Sequence, residues 1–134
     1  MTIGCVRGDA FLNYLIIGVG GFLGANVRYL VGGWAADRFG ASFPYGTLLI
    51  NVSGSFLIGL FLTMITERFV APPSLRQFFA IGFLGAYTTF STFSFESLAL
   101  LQERSYLAAA ANMIGSVILS MVAVAIGVVL GRVL

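Results

Sequence analysis

No histidine occurs anywhere in the 134 residues, cysteine occurs once, at Cys5, and the formal charges are limited to seven arginines and five acids. Each scarcity removes a class of function. Without histidine, the side chain that titrates near neutrality and is the commonest metal ligand is missing. A lone cysteine allows no intrachain disulfide and no thiol metal site. The net charge of +2 is scattered along the chain and forms no basic patch, which argues against nucleic acid as a partner. There is no phosphate loop and no room for a nucleotide domain, so nothing points to a fuelled process. An enzyme is the poorest fit, because no nucleophile and base can be paired without histidine or a second buried acid.

What is present is apolar. The chain is 59% hydrophobic with a mean hydropathy of +1.01, too greasy for a soluble domain of this length. Its charges, at Arg7, Asp9, Arg28, Asp37, Arg38, Glu67, Arg68, Arg76, Glu96, Glu103, Arg104 and Arg132, leave uncharged windows at 10 to 27, 39 to 66, 77 to 95 and 105 to 131. Each window can cross about 30 Å of hydrocarbon at roughly 1.5 Å per helical residue. The expected fold is an all-α membrane protein, one transmembrane domain over 1–134 with helices at about 11–33, 45–66, 75–99 and 106–131. The first window is better read as a retained span than as a signal peptide: it lacks a small-residue cleavage site and carries Gly18, Gly20, Gly21 and Gly24. Phe43-Pro44-Tyr45-Gly46 introduces the second helix, while Pro72 and Pro73 are expected to stop it and Ser74 to cap the third.

Small residues recur at four-residue spacing, in the pairs Gly20/Gly24, Gly21/Ala25, Ser55/Gly59, Gly82/Ala86, Ala111/Gly115 and Gly127/Gly131. Such faces let helix backbones approach closely in lipid. Four short helices enclose little, so a pore would call for two copies. Arginines near the span ends normally set orientation. Here Arg7, Arg68, Arg76 and Arg132 fall on one side and Arg28, Arg38 and Arg104 on the other, a nearly balanced count that leaves both orientations open. Insertion both ways would allow two inverted copies related by a two-fold axis in the membrane plane.

Polar residues inside the spans are patterned. The second helix carries Thr47, Asn51 and Ser55 at successive four-residue steps, continued by Gly59 and Thr63, and the fourth repeats the pattern with Asn112, Ser116 and Ser120. Each set lies on one face. Interhelical hydrogen bonding explains any single hydroxyl, whereas two matching stripes headed by asparagine suggest a lined path. Asn51 stands out, since a buried amide offers two N–H donors to an anion; it could also cap a broken helix.

Between Thr88 and Ser94 every residue is a hydroxyl or a phenylalanine, an arrangement an ordinary membrane helix has no use for. Gly82 and Gly85, followed by β-branched Thr88 and Thr89, make a poor continuous helix, so a break near 85–89 is expected. A break frees carbonyls that can hold a monovalent cation and N–H groups that can face an anion. With oxygen ligands and neither sulfur nor imidazole, sodium is more credible there than a transition metal. Phe90 and Phe93 share a helical face beside Ser91, Thr92 and Ser94, and the positive edge of a phenyl ring can touch a small anion without trapping it. Glu96 is the single acid inside an expected span, a functional candidate on that ground. Arg28 could draw anions into a vestibule or snorkel to the interface.

These residues resemble the Fluc fluoride channels, also called CrcB proteins, through nearly the whole chain. The resemblance runs through Gly20-Gly21-Phe22-Leu23-Gly24-Ala25 with Arg28-Tyr29, Pro44 with Gly46 to Asn51 and Gly54-Ser55-Phe56, and Asn112 with Gly115-Ser116. Its most specific part is Gly82-Phe83, Gly85, the string Thr88 to Ser94, and Glu96. The resemblance implies an inverted-topology homodimer in the cell's inner (plasma) membrane, with two fluoride pores and a structural sodium ion at the dimer centre. It implies Phe90 and Phe93 as pore rings, Asn51 as the main amide donor and Arg28 at the entrance. Thr47, Ser91, Thr92 and Ser116 would form the polar track, Glu96 would stand at the far end of the pore, and the carbonyls of Gly85 and Thr88 would hold sodium. Two positions depart from the pattern: Asn112, where a tyrosine can stand near the pore, and Tyr87, where a smaller residue is often found. The alternative is a small multidrug-type proton-coupled exporter, which wants an acid in the first span, and none lies between Asp9 and Asp37. A membrane subunit with no pore would leave the stripes as packing alone.

Overall fold

The computed structural model describes residues 3–134, with side chains from Ala10 onward, so the side chains of Cys5, Arg7 and Asp9 lie outside the described residues. Every regular element among the described residues is helical. Four segments, Ala10–Phe39, Tyr45–Arg68, Pro73–Gln102 and Tyr106–Val133, are long and apolar enough to cross a membrane.

Helix α1 (Ile3–Phe39) outruns the expected 11–33 at both ends. Nothing from Trp34 to Phe39 interrupts a helix; it stops where Gly40 takes φ +82° and closes the last turn onto the Ala36 carbonyl at 2.9 Å. Rings gather at this end, Trp34 edge-on to Phe39 at 5.7 Å and Phe39 against Tyr45 at 5.5 Å. Such a belt suits the membrane–water interface.

Helix α2 (Tyr45–Thr63) widens into a π-helical turn at Met64–Arg68 and ends there, ahead of the two prolines. Those prolines open the next helix instead of stopping this one. Pro72 is extended and Pro73 occupies the first turn, where a missing N–H costs nothing; Ser74 lies inside that turn and makes no capping bond. Helix α3 (73–87) is α-helical at Pro73–Arg76, π-helical at Gln77–Leu84, and closes with one α turn, Gly85–Tyr87. The expected break falls on Thr88 and Thr89, both extended, with φ/ψ of −78°/157° and −150°/121°. Helix α4 (Phe90–Gln102) starts afresh with Thr89 as its cap, the Thr89 hydroxyl oxygen accepting the Thr92 N–H at 3.2 Å. Its far end is wrapped by Arg104 at φ +61°, with the Ser105 N–H on Leu100 O and the Arg104 N–H on Leu101 O, and helix α5 (Tyr106–Val133) follows.

Two glycine seams pair these helices. A Cβ at Gly20 or Gly24 would overlap the Phe78 or Phe83 carbonyl, and one at Gly82 would lie 2.6 Å from Ile17 O, so α1 and α3 touch backbone to backbone. Likewise Gly59 lies against Val124 O, Gly127 against Phe56 O and Gly131 against Leu60 O, joining α2 to α5. Gly115 meets nothing within 4 Å, so the Ala111/Gly115 pair joins neither seam. Between the seams Ile50, Leu84 and Tyr87 are buried, with Val27, Leu57 and Phe83 packed on them. That core sits directly beside the break.

Candidate functional site

Helix α2 holds the break in place. The Asn51 amide donates to the Thr89 carbonyl at 2.9 Å and accepts the Thr89 N–H at 2.8 Å, a two-point clamp on one extended residue. One of the two Asn51 N–H groups remains beyond that clamp. Three residues on, Gly54 makes room: a Cβ there would overlap the Thr88 methyl and come within 3.3 Å of the Tyr87 ring. Ser53 shares a 2.8 Å hydrogen bond with the Tyr87 hydroxyl. The clamp has a consequence for α3. In a continuous helix the Thr89 N–H would bond the Gly85 carbonyl; here it is on Asn51, and the Gly85 carbonyl is released.

Two hollows flank this junction. The first, about 580 Å³, opens at the aromatic end of the molecule and is lined by Arg28, Pro44, Thr47, Thr92, Glu96 and Glu103 among others. The second, about 430 Å³, is lined by Asn51, Ser55, Gly85, Thr88, Phe90, Phe93, Ser116 and Ser120 among others. Among the described residues, Thr89 is the one that lines both.

The structure thus gathers most of the residues singled out from sequence around the break, in two groups. In the first hollow, Thr47 donates to Glu96 Oε1 at 2.9 Å, while Glu96 Oε2 is buried with no partner among the described residues. Arg28 lies in the same hollow. In the second, Phe90 and Phe93 stand 5.6 Å apart between ring centres and tilted by 41°, with Phe90 78% exposed on the outer surface of α4. Ser91 lines neither hollow; it lies exposed, 3.3 Å from the Thr89 hydroxyl. Asn112 is fully buried and lines neither hollow: it donates to Ser97 Oγ at 2.9 Å, and its own oxygen accepts from Ser116 at 3.3 Å. Ser97 in turn donates to the Phe93 carbonyl at 2.7 Å. Asn112 therefore ties α5 to α4, while Ser116 both joins that network and faces the second hollow.

Sequence reasoning gave Thr89 a part in the break but no site role, and passed over Ser53 and Ser97. The capping role of Thr89 was detectable, since threonine just ahead of a helix start is a favoured N-cap. Ser53 and Ser97 each donate to a carbonyl of their own helix, Leu49 O and Phe93 O, and nothing local signals the Tyr87 and Asn112 side chains that reach them from other helices. For a cation at Gly85 and Thr88, the donors fit a hard monovalent ion: a released carbonyl at Gly85 and an extended peptide at Thr88, both on the second hollow. Among the described residues there is no cluster of three acid, thiol or imidazole side chains that would suit a transition metal.

Fold and site together define a multi-pass membrane protein with a broken third span beside two polar hollows. Residues 15–128 match the family described as CrcB-like protein, Camphor Resistance (CrcB), and the chain belongs to that family. It is 48% identical over 120 residues to a fluoride-specific ion channel FluC of Chloroflexus aurantiacus, covering 90% of this chain and 95% of that one. It is 48% identical over 118 residues to the protein of that name in Rhizobium meliloti, covering 88% and 94%. With the Solibacter usitatus protein of the same name it shares 46% identity over 121 residues, covering 90% and 99%.

Proposed function

We propose that this chain is a fluoride channel of the plasma membrane, giving passive export of cytoplasmic fluoride and resistance to its toxicity. The observation that carries this reading is the break at Thr88–Thr89, clamped by Asn51 and set beside a hollow lined by hydroxyls and two phenylalanine rings. Near an acidified exterior, fluoride enters cells as the neutral acid and ionises inside. The anion then accumulates unless a pore lets it leave down its electrical gradient, and no fuel is needed.

The residues divide the work. Arg28 at the mouth of the first hollow attracts the anion. Thr47, Thr92 and the remaining Asn51 N–H supply neutral donors in place of water, and the edges of Phe90 and Phe93 add weak positive potential without a trapping charge. A narrow donor track favours fluoride over chloride because it replaces the tightly held water of the smaller ion. The carbonyls of Gly85 and Thr88 are the groups that would hold a structural sodium ion, which would supply a fixed positive charge beside the break.

The active unit in this reading is an inverted-topology homodimer with two pores. Ser91, Thr92 and Phe90 are exposed on a span that crosses hydrocarbon. Hydroxyls there favour a covering surface over lipid, and a second copy supplies one. The near balance of arginines at the two ends favours insertion in both orientations.

The test is fluoride efflux from liposomes holding the purified protein, with Phe90→Ile and chloride as comparisons. Wild type should release fluoride and not chloride, and Phe90→Ile should be slower by about tenfold or more, the rate equivalent of roughly 1.4 kcal/mol. Absence of wild-type efflux would overturn the channel reading. Complete sodium removal should abolish activity and its return restore it; indifference to sodium would remove the ion from the proposal.

A further inference from the structure

We infer that Thr89 is the specificity-determining neck of the pathway, the point at which an anion passes from the first hollow to the second. This rests on the channel reading above and adds a residue to it. Among the described residues Thr89 alone lines both hollows, so a path that joins them at the break runs past it. It is 8% exposed, and Asn51 holds both its N–H and its C=O.

Its hydroxyl is also the centre of a small polar hub. The oxygen accepts the Thr92 N–H at 3.2 Å, the hydroxyl donates to Thr92 Oγ1 at 3.0 Å, and Ser91 Oγ stands at 3.3 Å as a second neighbour. A hydroxyl has one hydrogen and two acceptor sites. With the oxygen engaged by the helix start, the hydrogen can turn from Thr92 to a passing anion and back, while α4 keeps its cap. The N-terminus of α4 points its unpaired N–H groups and positive dipole end at this spot. A 13-residue helix end and a rotatable O–H therefore favour a negative ion at the neck without a side-chain charge that would hold it.

The experiment reconstitutes wild type, Thr89→Ser, Thr89→Val and Thr89→Asp into liposomes and measures fluoride efflux and the fluoride-to-chloride ratio, after each protein elutes as a single folded species. Thr89→Ser keeps the hydroxyl and should conduct within about twofold of wild type. Thr89→Val removes it at equal size and should fall by about tenfold or more, with relatively more chloride in what remains, a loss equivalent to roughly 1.4 kcal/mol. Thr89→Asp keeps a helix cap as good as threonine, but it places a negative charge on the path and should stop fluoride efflux. If Thr89→Val does not fold, Thr89→Asp decides. A Thr89→Asp or Thr89→Val protein that conducts like wild type, or a Thr89→Val loss with an unchanged ion ratio, would overturn the inference. Wild-type failure would instead overturn the channel reading itself.

Discussion

Helices α2 and α5 carry the same written pattern, an asparagine followed by hydroxyls at four-residue steps, and the fold uses the two in different ways. Asn51 faces a helix that has come apart and binds its open backbone. Asn112 faces an intact helix and binds a serine side chain in full burial. Lower down, the two rows meet each other: Gly59, two steps after Asn51, packs on the carbonyl of Val124, three steps after Asn112. A polar stripe in a membrane helix is thus a packing seam wherever an intact partner covers it, and part of a path only where the partner leaves backbone or space.

The largest test of that contrast is Asn51→Leu. It removes both bonds to Thr89 and leaves two backbone groups unpaired at about 1–3 kcal/mol each, so fluoride efflux from liposomes should fall by about a hundredfold or more. Efflux close to wild type would show that Asn51 is a seam residue like its counterpart. Thr47→Val should have a smaller effect. It strips Glu96 of its single hydrogen-bond donor among the described residues, and efflux should drop by about tenfold, the equivalent of about 1.4 kcal/mol. Asn112→Leu should do least to transport. The expected outcome is a loss of about 1 kcal/mol in stability, the scale of one interhelical hydrogen bond in a membrane, with efflux per folded protein within about threefold. Combining it with Ser97→Ala should cost little more than either change alone, because the two residues share one bond. A collapse of ion selectivity in Asn112→Leu would instead put that asparagine on the path.

Much of this molecule was legible in its order of residues. Charge-free windows mark the spans because an unpaired charge in hydrocarbon is expensive, and the glycine pairs at four-residue spacing mark the seams because only a missing Cβ lets carbonyls approach. The break at Thr88–Thr89 followed from glycines and β-branched threonines together. Less was legible at the helix ends. The first helix runs on to Phe39 since a charged side chain beyond the bilayer does not end a helix, and Pro72–Pro73 starts a helix because proline is tolerated in a first turn.

The sequence by itself determined an all-helical membrane chain, its four spans and its broken third helix, which depend on local spacing and composition, and its likeness over nearly its whole length to a known family fixed its family. Only the tertiary structure decided that Asn51 clamps Thr89, that Asn112 is sealed into a seam, and that Thr89 stands between two hollows. Those outcomes depend on which groups of other helices arrive within about 3 Å, the reach of a hydrogen bond, and no single stretch of chain contains that information.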